Sequence, residues 1–286
     1  MPAPSSRTFT RRSLLGVIGV GATLATVGLP GTASAEDHTT TDQDVRPRCA
    51  TFNIHHGAGV DGVLDLERVA RVIEAQNLDV VGLQEVDRFW ARSGFVDQPQ
   101  WLAQRLGMYC VFGANLDLDP DGDGQPRRQY GTVILSRTRI LTWSNTPLPR
   151  SEGREQRGLL SALVHSGRAP FEFLNTHLDH TGPAERLPQC EAILDILGPR
   201  PRRTIIVGDL NCKPGTEEYG LLTSELDDAW TEAGHGDGFT YPAPIPDGRL
   251  DYVLSSRDAR PSDVEVLYAE PMASDHLPVR ATYRFR

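Results

Sequence analysis

The chain has 286 residues, of which 39% are hydrophobic and 23% are charged, and its formal net charge is −9. This length and composition fit one large globular domain or two small ones. Because the chain shows neither an internal repeat nor a linker that divides it, one domain is the simplest interpretation. The acidic balance gives no support for wide electrostatic attraction to polyanions, although it does not exclude a local basic site.

The first 35 residues predict an export signal. Arg11 and Arg12 precede an apolar stretch at 14–29, and the sequence A-S-A follows at 33–35. This order of charged, apolar and A-x-A segments is typical of a cleaved signal, and the pattern T-R-R-x-L-L resembles the twin-arginine class. An uncleaved anchor is the less favoured alternative, because a membrane span needs about 20 apolar residues. We therefore expect a secreted protein with no transmembrane anchor after processing.

The rest of the chain divides into a flexible polar leader at 36–47 and a domain at 48–286, which we expect to be monomeric. Loss of the signal would remove three arginines and no acidic residue, which changes the formal charge from −9 to −12.

Apolar periodicity in the domain predicts a mixture of strands and helices without strict βα alternation. This favours an α+β fold in which helices pack outside two stacked sheets. The predicted helices are 64–77, 99–107, 183–197 and 216–223, and the predicted strands are 49–56, 79–86, 130–137, 139–148, 158–166, 171–178, 203–211, 248–256, 263–270 and 277–285. Loops are expected at 92–101, 113–129, 145–157 and 234–249.

Nearly every apolar strand is followed by polar residues that can bind metal or transfer a proton. Strand ends that converge on one edge are where a rigid scaffold most easily assembles a site. Taken singly, each such residue would more often be a turn or cap residue, but six such strand ends together indicate a site. The residues are Asn53, Glu85, Asn175, His177, Asp209, Asn211, Asp251, Asp275 and His276.

This set predicts a metal-dependent phosphoesterase. Its carboxylates and amides are hard oxygen ligands, which suit Mg²⁺, Mn²⁺ or Ca²⁺. Zinc is disfavoured because the set contains neither a cysteine pair nor an H-E-x-x-H helix. His177 and His276 can carry protons near neutral pH, and Asp251 can fix the tautomer of one of them. A metal with histidine acid–base groups suits attack of water on a phosphate ester.

Six motifs of the domain, in this order and spacing, resemble the endonuclease/exonuclease/phosphatase superfamily with its DNase-I-like fold. The motifs are TFNIHHG, LQEV, NTHLDH, VGDLN, RLDYVL and SDHLPV, and they cover 48–286. The resemblance implies a four-layer α/β/β/α sandwich whose active site lies where the two sheets meet at one edge. It also implies metal-dependent hydrolysis of a phosphoester.

The resemblance also implies a role for each matching residue on the metal side of the site. Glu85 would be the principal metal ligand, and Asn53 would assist at the metal and the phosphate. Asp275 would lie near the metal or at a second metal position.

On the phosphoryl side, the resemblance implies that His177 binds the phosphoryl group and either stabilises its charge or protonates the leaving group. Asp209 would orient or activate the attacking water, and Asn211 would hold the phosphate. Asp251 would pair with His276, the candidate general base. Asn175, beside His177, is a predicted substrate contact.

Four weaker features remain open at the level of sequence. Arg157 is predicted to clamp a second phosphate or a substrate headgroup, with a solvated loop as the alternative. The acidic segment 119–124 resembles half of a calcium loop, and a solvated hairpin tip is favoured. The four cysteines allow one or two disulfides or buried free thiols. His55, His56 and His180 lie next to site residues but receive no predicted role.

The substrate class also remains open. The acidic surface slightly favours a small organic phosphate or a lipid headgroup over nucleic acid. The alternatives are a secreted nuclease of the same superfamily and a catalytically silent binding module built on this fold.

Overall fold

The computed structural model describes residues 46–167 and 169–286. The predicted export signal at 1–35 and all but the last two residues of the predicted leader at 36–47 lie outside the described residues. Within them, none of the helices has the length and apolar character needed to cross a bilayer.

Two six-stranded sheets form the centre of the fold, in the orders β11-β12-β1-β2-β4-β3 and β5-β6-β7-β8-β10-β9. Each sheet contains one parallel pair, β1 with β2 in the first and β7 with β8 in the second, and its other pairs are antiparallel. The strands are β1 Arg48–Asn53, β2 Val80–Arg88, β3 Tyr109–Leu118, β4 Arg128–Ser136, β5 Ile140–Pro147, β6 Gly158–Val164, β7 Phe171–His177, β8 Thr204–Asp209, β9 Asp227–Asp228, β10 Asp251–Ser255, β11 Ala259–Val266 and β12 Val279–Phe285.

Helices cover the outer faces of the two sheets. One apolar cluster lies between the sheets, a second joins the first sheet to α1 and α2, and a third joins the second sheet to α3 and α4. The predicted four-layer α/β/β/α sandwich is therefore confirmed. The helices are α1 Leu66–Ala75, α2 Gln98–Leu106, α3 Pro183–Leu197, α4 Glu217–Glu225 and α5 Ala229–Ala233.

A buried amide pair ties the two sheets together close to the predicted site. Gln84 Nε2 of β2 donates to Asn175 Oδ1 of β7 at 2.7 Å, and Asn175 Nδ2 donates to the carbonyl oxygens of Leu83 and Val133 at 2.9 and 2.8 Å. A Cβ at Gly82 would overlap both Val207 and Asn175. A glycine here therefore lets the facing strands approach closely enough for these bonds.

The structure differs from the sequence prediction at β3. Tyr109–Leu118 is a strand, although 113–129 was predicted as a loop. Pairing with β4 stabilises it over its whole length, and several of its residues are half-buried or exposed. A lateral partner therefore makes a strand of a segment that lacks a strong apolar pattern.

The acidic segment 119–124 connects β3 to β4. Arg127 pairs with Asp119 at 2.6 Å, and Arg128 pairs with Asp121 at 2.6 Å. These carboxylates therefore have arginine partners at the hairpin tip.

The four cysteines are free thiols, of which Cys49, Cys190 and Cys212 are buried. Burial raises the pKa of the Cys190 thiol to about 12 and that of Cys212 to about 11. Of the two possibilities that the sequence left open, the structure shows unpaired thiols.

Candidate active site

The two parallel pairs bring their carboxyl ends to the same edge of the sandwich. In the first sheet Asn53 of β1 is the register partner of Gln84, directly before Glu85 of β2. In the second sheet His177 of β7 is the register partner of Asp209 of β8. The antiparallel strand β10 begins at this edge, so Asp251 lies opposite Asp209. The turn before β12 adds Asp275 and His276.

A break in the strand register directs Glu85 into the site. The pairing of β2 with β4 shifts between Leu83 and Val86, and Glu85 takes a left-handed φ of 58°. Such a bulge re-aims a side chain that would otherwise follow the alternation of the strand. Glu85 is only half-buried, so its carboxylate is accessible from the cleft.

Asn53 links the carboxylates of the two sheets. Its Nδ2 donates at 3.0 Å both to Glu85 Oε1 and to Asp209 Oδ2. Its Oδ1 accepts the backbone N–H of His55 at 3.1 Å, which fixes the orientation of the amide. These contacts make Asn53 a positioning residue for both carboxylates, and a metal-ligand role for its oxygen stays a prediction.

Two imidazoles converge on one oxygen of Asp209. His177 Nε2 lies 3.5 Å and His276 Nε2 lies 3.6 Å from Asp209 Oδ2. The other carboxylate oxygen accepts the backbone N–H of Asn211 at 2.9 Å. Burial raises the pKa of Asp209 to about 7 against the opposing effect of His276.

His276 and Asp251 form a buried ion pair. His276 Nδ1 lies 2.8 Å from Asp251 Oδ2, so Nδ1 carries a proton and Nε2 faces Asp209. Burial alone would lower the pKa of His276, but the charges of Asp251 and Asp209 outweigh it and raise this pKa to about 10. The ring of Tyr241 packs against the imidazole with centroids 4.7 Å apart.

Arg157 fixes the tautomer of His177. One guanidinium N–H donates to His177 Nδ1 at 2.9 Å, and a guanidinium has no lone pair to accept with. His177 Nδ1 is therefore unprotonated and Nε2 carries the hydrogen that faces Asp209. Burial, with the charge of Arg157 second, holds the pKa of His177 well below its usual range.

Arg157 itself is buried, with 3% of its surface exposed. The structure thus places it in the site, not in a solvated loop, and its guanidinium also pairs with Glu155 at 3.0 Å. It contacts a residue of the site, and direct contact with substrate stays a prediction.

The remaining predicted residues have distinct positions. Asp275 is half-buried, with its Oδ1 3.9 Å from His55 Nδ1. Asn211 has a left-handed φ of 49°, and its Nδ2 donates to the carbonyl of Leu178 at 3.0 Å. Asn175 is fully buried and directs its amide into the interface between the sheets. This amide forms the hydrogen bonds that join the two sheets. The structure therefore does not place Asn175 at the surface of the site as a substrate contact.

His55 and His56 were left without a role by the sequence, yet both lie at the site. One ring nitrogen of each and a carboxylate oxygen of Glu85 lie within 4.8 Å of one another. Burial, followed by the charges of Arg92 and His55, lowers the pKa of His56 to about 4. They follow Asn53 by two and three residues, just beyond the end of β1, and this proximity was the signal that could have identified them.

The donor set of this edge fits a divalent metal ion. Glu85 and Asp275 offer half-buried carboxylates, and the two neighbouring histidines offer imidazole nitrogens. A second group of possible ligands, Asp209, Asp251 and His276, is fully buried, and its members are engaged with one another. Glu85 is therefore the residue best placed to bind an ion that solvent and substrate can reach.

Residues 50–276 match the model of the Endonuclease/Exonuclease/phosphatase family. The chain belongs to this family, whose members hydrolyse phosphoester bonds and depend on a divalent metal.

Solved structures share the fold. An endonuclease/exonuclease/phosphatase from Beutenbergia cavernae DSM 12333 is 27% identical, with a TM-score of 0.67 over 84% of this chain and 72% of that chain. The mannosyl-6-phosphatase of Bacteroides thetaiotaomicron VPI-5482 is 18% identical, with a TM-score of 0.65 over 84% of this chain and 100% of that chain. At this lower identity the likeness concerns the fold alone.

Among curated proteins, protein cwh43 of Schizosaccharomyces pombe is 26% identical over 179 residues. The match includes 61% of this chain but only 17% of the length of that relative.

Proposed function

We propose that this protein is an exported phosphoesterase that uses a divalent metal ion, Mg²⁺, Mn²⁺ or Ca²⁺, to hydrolyse a phosphodiester or monoester. One observation carries the proposal. His177 Nε2, His276 Nε2 and Asn53 Nδ2 all face Asp209 Oδ2, and the same Asn53 amide holds Glu85. Proton donors, a base and a metal ligand thus surround one small space at the sheet edge.

The pKa shifts divide the acid–base roles between the buried groups. Asp209, with a pKa raised to about 7, suits a general base at neutral pH because it can both hold and accept a proton there. His276, with a pKa raised to about 10, carries its proton at neutral pH. In this proposal the base role predicted for His276 therefore passes to Asp209, and His276 donates to the phosphoryl oxygens.

His177 acts as a neutral donor. Arg157 holds its Nδ1, so its Nε2–H points toward the space beside Asp209 and can stabilise charge on a phosphoryl oxygen or on the leaving group. A metal ion held at Glu85 supplies further neutralisation of phosphoryl charge. Asn53 keeps Glu85 and Asp209 at a fixed separation while Asp209 accepts the proton of the attacking water.

A small organic phosphate or a lipid headgroup is the favoured substrate in this proposal. Two observations support this choice. The formal net charge of the chain is −9. The buried guanidinium of Arg157 is engaged with His177 and Glu155, so it is not an exposed basic group for a polyanion. Nucleic-acid affinity rests largely on basic charge, so a secreted nuclease is the second candidate. Export through a twin-arginine signal and a monomeric state belong to the proposal as well.

Hydrolysis of two model substrates tests the proposal. Purified protein is given bis-p-nitrophenyl phosphate or p-nitrophenyl phosphate with Mg²⁺, Mn²⁺, Ca²⁺ or EDTA. Glu85→Gln should remove turnover, while Glu172→Gln, an exposed glutamate at the start of β7, should leave it unchanged. Diester turnover would then justify a comparison of plasmid DNA with phospholipid headgroups. Equal turnover in Glu85→Gln and wild type would contradict the mechanism, and metal binding without turnover on any of these substrates would favour a silent binding module.

A further inference from the structure

Three loops at the site edge of the sandwich lie side by side. Val60 of the first loop donates its backbone N–H to the carbonyl oxygen of Met272 in the third at 3.3 Å. Ala243 of the second loop donates its backbone N–H to the carbonyl oxygen of Asp275 in the third at 2.7 Å. The third loop thus joins the other two into one surface beside the cleft, which we call the rim. Its loops are 58–65, 240–248 and 267–275.

The rim exposes many apolar side chains. Among the residues that the structure describes, twelve large apolar side chains are exposed, and half of them lie on the rim. Single exposed apolar residues are normal on a protein surface, whereas a cluster of them marks a site of interaction. The six residues of the rim are Val63, Leu64, Tyr241, Ile245, Tyr268 and Met272.

Ile245 is the most exposed of the twelve, with 84% of its surface accessible. Pro244 and Pro246 flank it, and a proline ring fixes the backbone φ. The loop is closed below them, since Tyr241 and Gly248 exchange backbone hydrogen bonds of 3.0 and 2.9 Å. A stiff, closed loop therefore presents this large aliphatic side chain to solvent.

The charge of the rim restricts what can cover it. Its three loops contain five acidic residues and neither a lysine nor an arginine. Two of the acidic residues have arginine partners in α1, since Asp61 lies 2.8 Å from Arg68 and Glu270 lies 4.0 Å from Arg71. A surface without basic side chains repels an anionic partner. An apolar or zwitterionic partner fits this combination of charge and exposed apolar groups.

We propose that the rim docks this protein on a zwitterionic lipid surface, with Ile245 inserted between the acyl chains. Aliphatic side chains at the tip and tyrosines beside them are the distribution found where proteins meet the membrane interface. The rim also adjoins the chemistry, because the ring of Tyr241 lies 4.7 Å from that of His276. The lipid surface would then lie beside the cleft. The inference rests on the proposed function for its purpose, and it narrows the substrate to the phosphoester of a lipid headgroup.

Binding to vesicles tests the inference. Phosphatidylcholine vesicles should retain the purified wild type in a sedimentation assay, and vesicles that also contain anionic phosphatidylglycerol should retain less of it. Ile245→Ser should weaken binding to phosphatidylcholine vesicles about 10-fold, because the protein loses the burial of one large aliphatic side chain. Since this side chain is exposed, the melting temperature and the hydrolysis of bis-p-nitrophenyl phosphate should not change.

A second variant reports insertion directly. Ile245→Trp places an indole at the tip of the loop, and its fluorescence emission should move to shorter wavelength when phosphatidylcholine vesicles are added. The wild-type spectrum under the same conditions is subtracted. Ile196, an exposed residue in the last turn of α3 and outside the rim, offers matched controls. Ile196→Ser should bind vesicles as the wild type does, and Ile196→Trp should show no shift.

Four results would overturn the inference. They are no retention of the wild type by phosphatidylcholine vesicles, equal retention of wild type and Ile245→Ser, stronger retention by the anionic vesicles, and an unshifted emission of Ile245→Trp. A concentration-dependent dimer in gel filtration that Ile245→Ser abolishes would likewise overturn it, because the rim would then bind a second copy of the chain.

The two proposals fail in different ways. Vesicle binding that depends on Ile245, in a protein that hydrolyses no phosphoester, would refute the proposed function and support the docking surface. Metal-dependent hydrolysis of bis-p-nitrophenyl phosphate by a protein that no vesicle retains would refute the docking surface and support the proposed function.

Discussion

Replacing Asp209 with asparagine should abolish hydrolysis and yet stabilise the metal-free protein at neutral and alkaline pH. Asp209 is 1% exposed, and its ionised form has lost its hydration. Burial raises its pKa from 3.8 to about 7. Since the folded state binds this proton more strongly than the unfolded state, the associated stability is fully present below pH 3.8 and is lost as pH rises to 7.

The size of this effect follows from the two pKa values. A difference of about three between them corresponds to about 4 kcal/mol in the free energy of unfolding. The wild type loses this stability between acidic and neutral pH, and the asparagine variant does not. Against this, the new Nδ2 would face the donors of Asn53 and His177, which costs about 1–3 kcal/mol at every pH. We therefore expect Asp209→Asn to be less stable than wild type at pH 4 and more stable at pH 8.

Urea unfolding of both proteins with EDTA, at intervals from pH 4 to pH 8, measures the difference. The free energy of unfolding of the variant minus that of the wild type should rise by about 4 kcal/mol across this range. Asp195→Asn, a change to an exposed carboxylate of α3, should show no such trend. A difference between Asp209→Asn and wild type that varies by less than about 1 kcal/mol would refute the reasoning, because Asp209 would then ionise in the fold as it does in water.

Three further variants test other parts of the site. Arg157→Met should lower kcat about 10- to 100-fold and raise the pKa of His177, measured by NMR titration, because the imidazole loses both a neighbouring cation and the donor that fixes its tautomer. Asp251→Asn should lower the pKa of His276 in the same type of titration and reduce turnover by about 10²-fold or more, since the carboxylate both orients and charges that imidazole. Gly82→Ala should lower the free energy of unfolding by about 1–3 kcal/mol in chemical denaturation, because its Cβ would force the two sheets apart.

The arginine and glycine variants each have a matched control. Arg154→Met changes an exposed arginine and should leave kcat unaltered. Gly220→Ala, in α4 where a Cβ would meet nothing within 4 Å, should stabilise the protein by up to about 1 kcal/mol. A His177 pKa that is unchanged in Arg157→Met, a His276 pKa that is unchanged in Asp251→Asn, or equal effects of the two glycine changes would contradict the corresponding argument.

The sequence was sufficient to predict which strand ends would meet. Glu85, His177, Asp209 and Asp251 each border a short apolar run, and such runs become buried strands whose ends share an edge. The helix predicted at 183–197 is confirmed as α3, Pro183–Leu197, because proline and glycine mark its two ends.

Other features depended on contacts between distant parts of the chain. The bulge at Glu85 arises from pairing with β4, and the tautomer of His177 from Arg157, 20 residues away. Asn175 looked like a site residue because it lies two positions before His177, but alternation along β7 alone cannot say that the facing sheet offers carbonyl groups to its amide. The position of His55 and His56 at the site depends on a left-handed backbone, which no local sequence pattern predicts.

The position of β12 sets the order in which the site can be completed. This strand lies between β11 and β1 in the first sheet and pairs Arg48 with Thr282, and the turn before it carries His276. A ribosome makes β1 long before β12, so β1 keeps an unpaired edge on this side until the segment that carries His276 and β12 has been made. A chain that stops before residue 276 would thus be without the ion pair of Asp251.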